Sequence, residues 1–486
     1  MRTFTLSDAK SHKFWNIDLQ GNSFTITYGR IGAAGQTQTK KFPSAAAAQK
    51  EHDKLIKEKQ AKGYRETTPK AAASGGASLR EALETAILDN PEDVATHMAY
   101  ADYLQEQGDP RGEFIQVQLA LEDESKSAQE RKKLQQREKA LLKKHRAEWA
   151  GDWPSLARSG GPEGRGQLDF PGPKPFRFIR GILAEATIDE LTVDCARAFI
   201  RDPRKRFIRR LFVGGFLYLD AEQEEYEDEH EEELQADDFP EDTTYPSEHI
   251  LLRWPHFANV RVFQLGWTGD DVYDDFCNLQ CHLSGEHAYD FVKQMPRLEE
   301  VYLFAHRVDG SKIATLPLPN LRVLQIYHHY DSGLKKLANN PSLGQVTHLL
   351  FHPHALEYDA EAYIRLADLR AVVNSTHLKS LTHLRLRLAD FGDKGCREIV
   401  RSGILKRLKV LDLRHGCISD KGAKMLAECS DLRHLELLDL SRNELTAEGI
   451  DALKAVGIAL DTSFQHGSTV DTPEDEREFL FQGDYE

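Results

Sequence analysis

Apolar and polar residues alternate in two short stretches near the start of the chain: KFWNIDL, with Trp15, Ile17 and Leu19, and SFTITYG, with Phe24, Ile26 and Tyr28. A period of two predicts half-buried strands, and Gly21-Asn22 between them predicts the turn. The period then changes. Ser44 stands before AAAAQKEHDKLIKEKQAK, where Ala48, His52, Leu55 and Ile56 fall on one side of a helix that Ser44 caps and Gly63 stops. The following ETTPKAAASGGAS has too little apolar content to pack and reads as a linker. Beyond it, Asn90-Pro91 and Asp109-Pro110 predict two helix starts, with apolar stripes Val94, Met98, Ala101, Leu104 and Phe114, Ile115, Val117, Leu121. A third helix is expected over about 127–150, carrying Leu134, Leu141, Leu142 and Trp149.

From about residue 175 the pattern itself repeats. Leu381/Leu384/Leu386, Leu408/Leu411/Leu413 and Leu435/Leu438/Leu440 recur every 27 residues, each followed by an apolar residue (Phe391, Ile418, Leu445) and a glycine (Gly395, Gly422, Gly449). The same L-x-x-L-x-L spacing appears at Leu298/Val301/Leu303, Leu321/Leu324/Ile326 and Val346/Leu349/Phe351, and more faintly at Ile208/Leu211/Val213 and Val260/Phe263/Leu265. This spacing is the mark of leucine-rich repeats, in which each unit supplies a strand and a return helix and stacking buries the leucines. The expected fold is therefore multidomain α/β: a small α+β domain at 1–65, a linker at 66–78, a short helical domain at 79–153 and a leucine-rich-repeat solenoid at 175–465. An acidic insertion at about 220–245 interrupts the solenoid, and an acidic tail follows at 466–486.

Charge changes the picture only when read by segment. The chain of 486 residues has a net charge of −15, yet residues 1–65 hold twelve Lys/Arg against five Asp/Glu, while Asp220 to Asp242 holds fourteen acidic residues and no Lys or Arg. Six cysteines in so long a chain do not make a disulfide framework, so free, mostly buried thiols are expected. No run of about 18 apolar residues spans a bilayer and the first residues lack a signal-peptide core, which together predict a cytoplasmic protein.

The first 65 residues resemble the WGR domain in the order of their parts: Lys13-Phe14-Trp15, then Tyr28-Gly29-Arg30 with Ile31-Gly32, then GQTQTKKF and the alanine-rich helix. Tyr28 replaces the tryptophan for which that domain is named. The resemblance implies DNA contact, since in poly(ADP-ribose) polymerases the domain helps bind strand breaks. ILDNPEDVATHMAYADYLQEQGDPRGEFIQVQ resembles a short companion domain found beside repeat arrays in planctomycete and myxobacterial proteins, and residues 175–465 are similar to leucine-rich repeats of the ribonuclease-inhibitor kind. A bacterial source is the expectation that follows.

Two candidate surfaces emerge. Nucleic-acid binding needs cations for phosphate and an aromatic for stacking; Lys13, Trp15, Tyr28, Gly29, Arg30, Lys40 and Lys41 are the candidates. On the repeat strands, the positions between and just after the last two leucines are Tyr302, Phe304, Gln325, Tyr327, His352, Arg385, Arg387 and Arg414, aromatic and arginine types that suit a protein interface. Cys277-x3-Cys281-His282 and the histidines His328, His329, His352 and His354 have no specific ligand spacing. With no phosphate loop, nucleophile elbow or H-E-x-x-H either, no metal, cofactor or catalytic site is expected. The expected function is a non-enzymatic adaptor that grips a protein partner through the solenoid and contacts DNA or another nucleic acid through the N-terminal module. The rival is a purely protein-binding scaffold or regulatory subunit of a larger complex.

Overall fold

The computed structural model describes residues 2–8, 11–30, 36–62, 64–67, 79–156, 176–216, 247–266, 283–353 and 364–468. Cys277, Cys281, His282, His354, the acidic insertion and most of the expected linker and tail lie outside the described residues. The chain divides into two compact units between residues 96 and 97.

The first unit is built on an antiparallel sheet of β1 (Arg2–Asp8), β2 (Ser11–Gln20), β3 (Ser23–Arg30), β4 (Gln36–Lys41) and β5 (Arg65–Thr67), in the order β4-β3-β2-β1-β5. The alternation in β2 and β3 places Trp15, Ile17, Phe24 and Ile26 in one core with Phe4 and Ile56. Ile56 comes from the helix Ala45–Ala61, which turns Ala48, His52 and Ile56 inward. Its start is capped as expected, Ala47 N donating to Ser44 Oγ at 3.2 Å. A further helix, Leu79–Asp89, has no counterpart in the sequence pattern described above.

The second unit begins within the helix Val94–Glu106 and continues through Arg111–Glu122 and Ala128–Ala150. The first of these differs from expectation: His97, Tyr100, Ala101 and Leu104 are buried, whereas Val94 and Met98 are exposed. An aromatic and a histidine at i and i+3 define its inward stripe, which a reading confined to aliphatic residues rotates by about one position. The long helix has a full capping box, Ser127 Oγ accepting from Glu130 N and the Glu130 carboxylate accepting from Ser127 N.

The later helices share their core with the solenoid. Phe114, Val117, Leu141, Trp149 and Trp153 lie in one apolar cluster with Phe178 and Leu183 of the hairpin formed by β6 (Phe176–Ile179) and β7 (Ile182–Ile188). Gly181 at the hairpin turn has φ +71 and donates its N–H to Gln118 Oε1 at 2.7 Å; an added Cβ would run into Ile115. Lys205, fully buried, donates from Nζ to Ala150 O and Asp202 Oδ2, both at 2.7 Å. The helical segment thus closes the first end of the repeat array, as arrays require at an end where no neighbour covers the core.

From β7 onward the sheet is parallel: β8 (Arg210–Val213), β9 (Val262–Leu265), β10 (Glu300–Asp309), β11 (Val323–Asp331), β12 (His348–Pro353), β13 (His383–Leu386), β14 (Val410–Asp412), β15 (Leu437–Asp439) and β16 (Leu460–Asp461) follow one another in sequence order. All eight L-x-x-L-x-L triplets are buried, and Ala186, Leu211, Phe263, Val301, Leu324, Leu349, Leu384, Leu411 and Leu438 form one inward row across the sheet. In the regular repeats the chain leaves its strands through a left-handed residue, Leu388, His415 and Arg442, 27 residues apart as the leucines are. Among the described cysteines, Cys195 and Cys396 are buried free thiols and Cys417 and Cys429 half-buried ones.

Successive repeats are also tied by carboxylates. Asp393, in the helix Gly392–Ser402, accepts from Ser419 N at 3.0 Å, Ser419 Oγ at 2.8 Å and Gly422 N at 2.9 Å. One repeat later Asp420 does the same for Thr446 N, Thr446 Oγ1 and Gly449 N at 2.8, 2.6 and 3.0 Å. Each therefore satisfies amides at the start of the next repeat's helix.

Candidate binding surfaces

In the N-terminal unit, Trp15 is corrected from a contact residue to a core residue. Only 2% of it is exposed, its ring lies 5.4 Å from that of Phe4, and Lys59 Nζ stands 5.4 Å from its centroid. Tyr28 is directly opposite Trp15 in the β2–β3 ladder, yet it is 43% exposed and donates from its hydroxyl to Gln36 Oε1 at 3.2 Å. Backbone register places Lys13 opposite Arg30 and Phe14 opposite Gly29. Lys40 stands opposite Phe24 and Lys41 opposite Ser23, both exposed on β4. Hydrogen bonds Thr25–Thr39 and Thr27–Thr37 mark the face of Lys41, so Lys40 shares the face of Tyr28 and Lys41 does not. The whole of β4 is exposed, and on the helix Ala45–Ala61 and just beyond it Lys50, Lys54, Lys57 and Lys62 are exposed too. The sequence signal for these was the local charge excess, which does not say which residues share a face.

On the solenoid, four of the eight expected partner residues are buried. Phe304, Tyr327, His352 and Arg387 are 2%, 3%, 0% and 0% exposed. Phe304, Tyr327 and His352 are aligned across three strands, and their rings cover one another: Phe304 to Tyr327 is 5.1 Å, Tyr327 to His352 6.2 Å, and His328 closes on Phe304 at 5.5 Å. Rows of large rings at strand spacing exclude water from themselves. Arg387 is buried for another reason, its guanidinium lying 3.0 Å from Asp412. Arg414 bridges Asp412 and Asp439 at 3.2 and 2.9 Å and remains partly exposed.

The other four expected residues, Tyr302, Gln325, Arg385 and Arg414, are half-buried, and Phe212 and Gln264 join the row of the first three. Phe212, Gln264, Tyr302, Gln325 and Arg385 are half-buried in the row between the last two leucines, with Leu350 buried between Gln325 and Arg385. Tyr302 donates to Glu300 Oε2 at 2.9 Å, and burial together with that carboxylate pushes its hydroxyl pKa up.

Sequence reasoning missed a feature beside this row. His348 and His383 stack at 3.8 Å between centroids and 16° between planes. Thr347 Oγ1 donates to Arg322 O and Thr382 Oγ1 to Thr347 O, so each hydroxyl accepts from its neighbour's imidazole Nδ1, at 2.8 and 2.9 Å. Both imidazoles then carry their lone pair on Nε2. Burial first, and charge from His348 and Arg385 next, lowers the His383 pKa to about 4. The signal was legible as the dipeptide Thr-His before the strand leucine in two consecutive repeats.

No described helix is long and apolar enough to cross a membrane. Residues 1–71 match the WGR domain family, and residues 377–400, 407–427 and 431–454 match leucine-rich repeats. Two Escherichia coli K12 proteins share segments with this chain: Protein YehF is 42% identical over 101 residues, 20% of this chain and 36% of YehF, and the uncharacterized protein YfeS is 45% identical over 65 residues, 13% of this chain and 27% of YfeS. The chain thus spans about a third or less of the length of these relatives. A crystal structure of a Bacteroides fragilis protein, 17% identical, aligns over 96% of this chain and 97% of that one at a TM-score of 0.39, a superposition too loose to carry a fold assignment. The chain carries a WGR domain at its N-terminus and leucine-rich repeats towards its C-terminus.

Proposed function

We propose that this protein is a non-enzymatic adaptor: the strand face of its solenoid binds a protein partner, and its WGR domain contacts nucleic acid. The observation that carries the reading is the half-exposed row Phe212, Gln264, Tyr302, Gln325 and Arg385, which lines up aromatic and arginine side chains on rigid neighbouring strands. Such residues supply most of the binding energy where proteins meet. WGR domains and leucine-rich repeats suggest nucleic-acid and protein binding respectively. Exposed Tyr28 and Lys40 on one face of the small sheet suit stacking and phosphate contact.

The test is affinity capture from the source cells with the full-length protein and with Tyr302→Ala and Arg385→Glu variants of equal melting temperature. A partner held by the parent and lost by both variants supports the reading. Truncating Tyr302 should weaken binding by about 2 kcal/mol or more if it anchors the contact. A partner held equally by all three overturns the assigned surface.

A further inference from the structure

Between β8 and β10, two consecutive repeats send short return helices to the same place, Ser247–Leu251 and Ala288–Val292. Their first turns bring together Glu248, His249 and His287, whose ligand atoms all lie within 4.8 Å of one another. The two imidazoles meet edge to face with centroids 4.6 Å apart. Glu248 is 3% exposed, His249 is exposed and His287 half-buried, so a buried carboxylate forms the base of the cluster and the imidazoles its mouth.

A second arrangement points the same way. His287 Nδ1 lies 3.6 Å from Asp290 Oδ2, and Asp290 is itself held by Lys293 Nζ at 2.6 Å. A carboxylate behind one ring nitrogen orients an imidazole and presents the other nitrogen, as metal-bound histidines commonly require.

We propose that Glu248, His249 and His287 form a binding site for a divalent first-row transition ion, with Zn2+ the first to test. Two imidazole nitrogens and one carboxylate oxygen suit zinc and its neighbours, whereas magnesium and calcium take oxygen donors. A tetrahedral ion at about 2.0–2.1 Å from each ligand needs donor atoms about 3.3 Å apart, a closure that rotation of the exposed His249 ring towards the oriented His287 would supply. The fourth position goes to water. Because the ligands come from two repeats, the ion would clip one return helix to the next, at the place where the L-x-x-L-x-L pattern is faintest.

The test uses untagged full-length protein stripped with a chelator and titrated with Zn2+, and with Co2+ followed by its visible absorption. The proposal expects one tight equivalent in the parent, at least tenfold weaker binding in His249→Gln and His287→Gln, and no change in His383→Gln. It also expects the melting temperature of the parent, and not of His249→Gln, to rise with Zn2+. His249 is at the surface, so His249→Gln decides the matter even if His287→Gln folds poorly. No tight equivalent in the parent, or one that His249→Gln keeps, overturns the site; so does an equivalent lost in His383→Gln.

Discussion

Arg387 and Asp412 form an ion pair out of reach of solvent, with Nε and Nη2 both 3.0 Å from Oδ2 and both side chains essentially unexposed. Burial alone would raise the carboxyl pKa; Arg387 and Arg414 outweigh it and hold Asp412 ionised, below the usual carboxylate range. Removing Arg387 leaves the buried Asp412 to the partly exposed Arg414, so Arg387→Ala should cost about 3 kcal/mol. Arg387→Met with Asp412→Leu should cost much less than that. Urea unfolding of the two variants checks it, and equal losses would mean that shape rather than charge holds the site.

Acid should loosen the solenoid through its buried imidazoles. His352 is fully buried among His328, His329, His415 and Arg387; burial first, then charge interaction with these groups, holds its pKa well below 6.5. For His415 burial, then Arg414 and Arg387 against Asp412, with His466 also near, lowers the value to about 3. The unfolded chain takes up these protons below about 6.5 and the folded chain does not, so stability is full above that pH and falls as pH drops towards 3. Each such histidine contributes a slope of about 1.4 kcal/mol per pH unit. His415→Asn keeps a residue tolerant of the left-handed φ of +56 and should shed its share of the slope between pH 6.5 and 4.5 in urea titrations.

In the WGR domain, two aromatic residues that face each other across β2 and β3 should behave differently. Trp15→Ala leaves a cavity in a small core and should cost about 3–5 kcal/mol of stability. Tyr28→Ala should leave folding intact and weaken nucleic-acid binding by about 1–3 kcal/mol without changing its salt dependence. Lys40→Ala and Arg30→Ala should each flatten the plot of log affinity against log salt by about 0.9 on duplex DNA, from about −2.7 for three phosphate contacts. Fluorescence anisotropy of the full-length protein on a nicked duplex at 50 and 200 mM salt, alongside thermal unfolding, separates these. Absence of binding at the lower salt leaves the protein-only scaffold as the better account.

Asp420→Ala removes three hydrogen bonds from the next repeat and should destabilise by about 2–3 kcal/mol. A Cβ at Gly449 would collide with the Asp420 carboxylate, so Gly449→Ala should disturb the same contact. The double variant should then cost clearly less than the sum of the singles, which a double-mutant cycle in urea measures. Full additivity would show that the two residues do not share this contact.

Most of the solenoid was legible because its leucines carry position and burial together: one spacing fixes strand, face and core at once. The strand face was half legible. Alternation predicts Phe304, Tyr327 and His352 on the outer side, but alternation reports direction and not cover, and the three are buried where rings on adjacent strands shield each other. The same limit hid Arg387, whose partner Asp412 is a repeat away. In the WGR domain the alternation placed Trp15 and Tyr28 on one face, and only the packing over that face separates a core residue from an exposed one. Glu248, His249 and His287 escaped notice because the stacking of two successive return helices, and not sequence proximity, brings them together.

The carboxylates of Asp393 and Asp420 give the array a direction. Each is held in its own repeat and serves the helix start of the repeat that follows. If the last repeat peels away, the carboxylate left behind merely returns to water. If an earlier repeat opens first, the helix after it keeps its place but exchanges its carboxylate acceptor for water. Fraying is therefore cheap from the C-terminal end and costly from the other, where the long helix and the β6–β7 hairpin seal the core. A ribosome releases the chain in the matching order, so each new repeat emerges onto a finished predecessor that already holds out the group its helix needs.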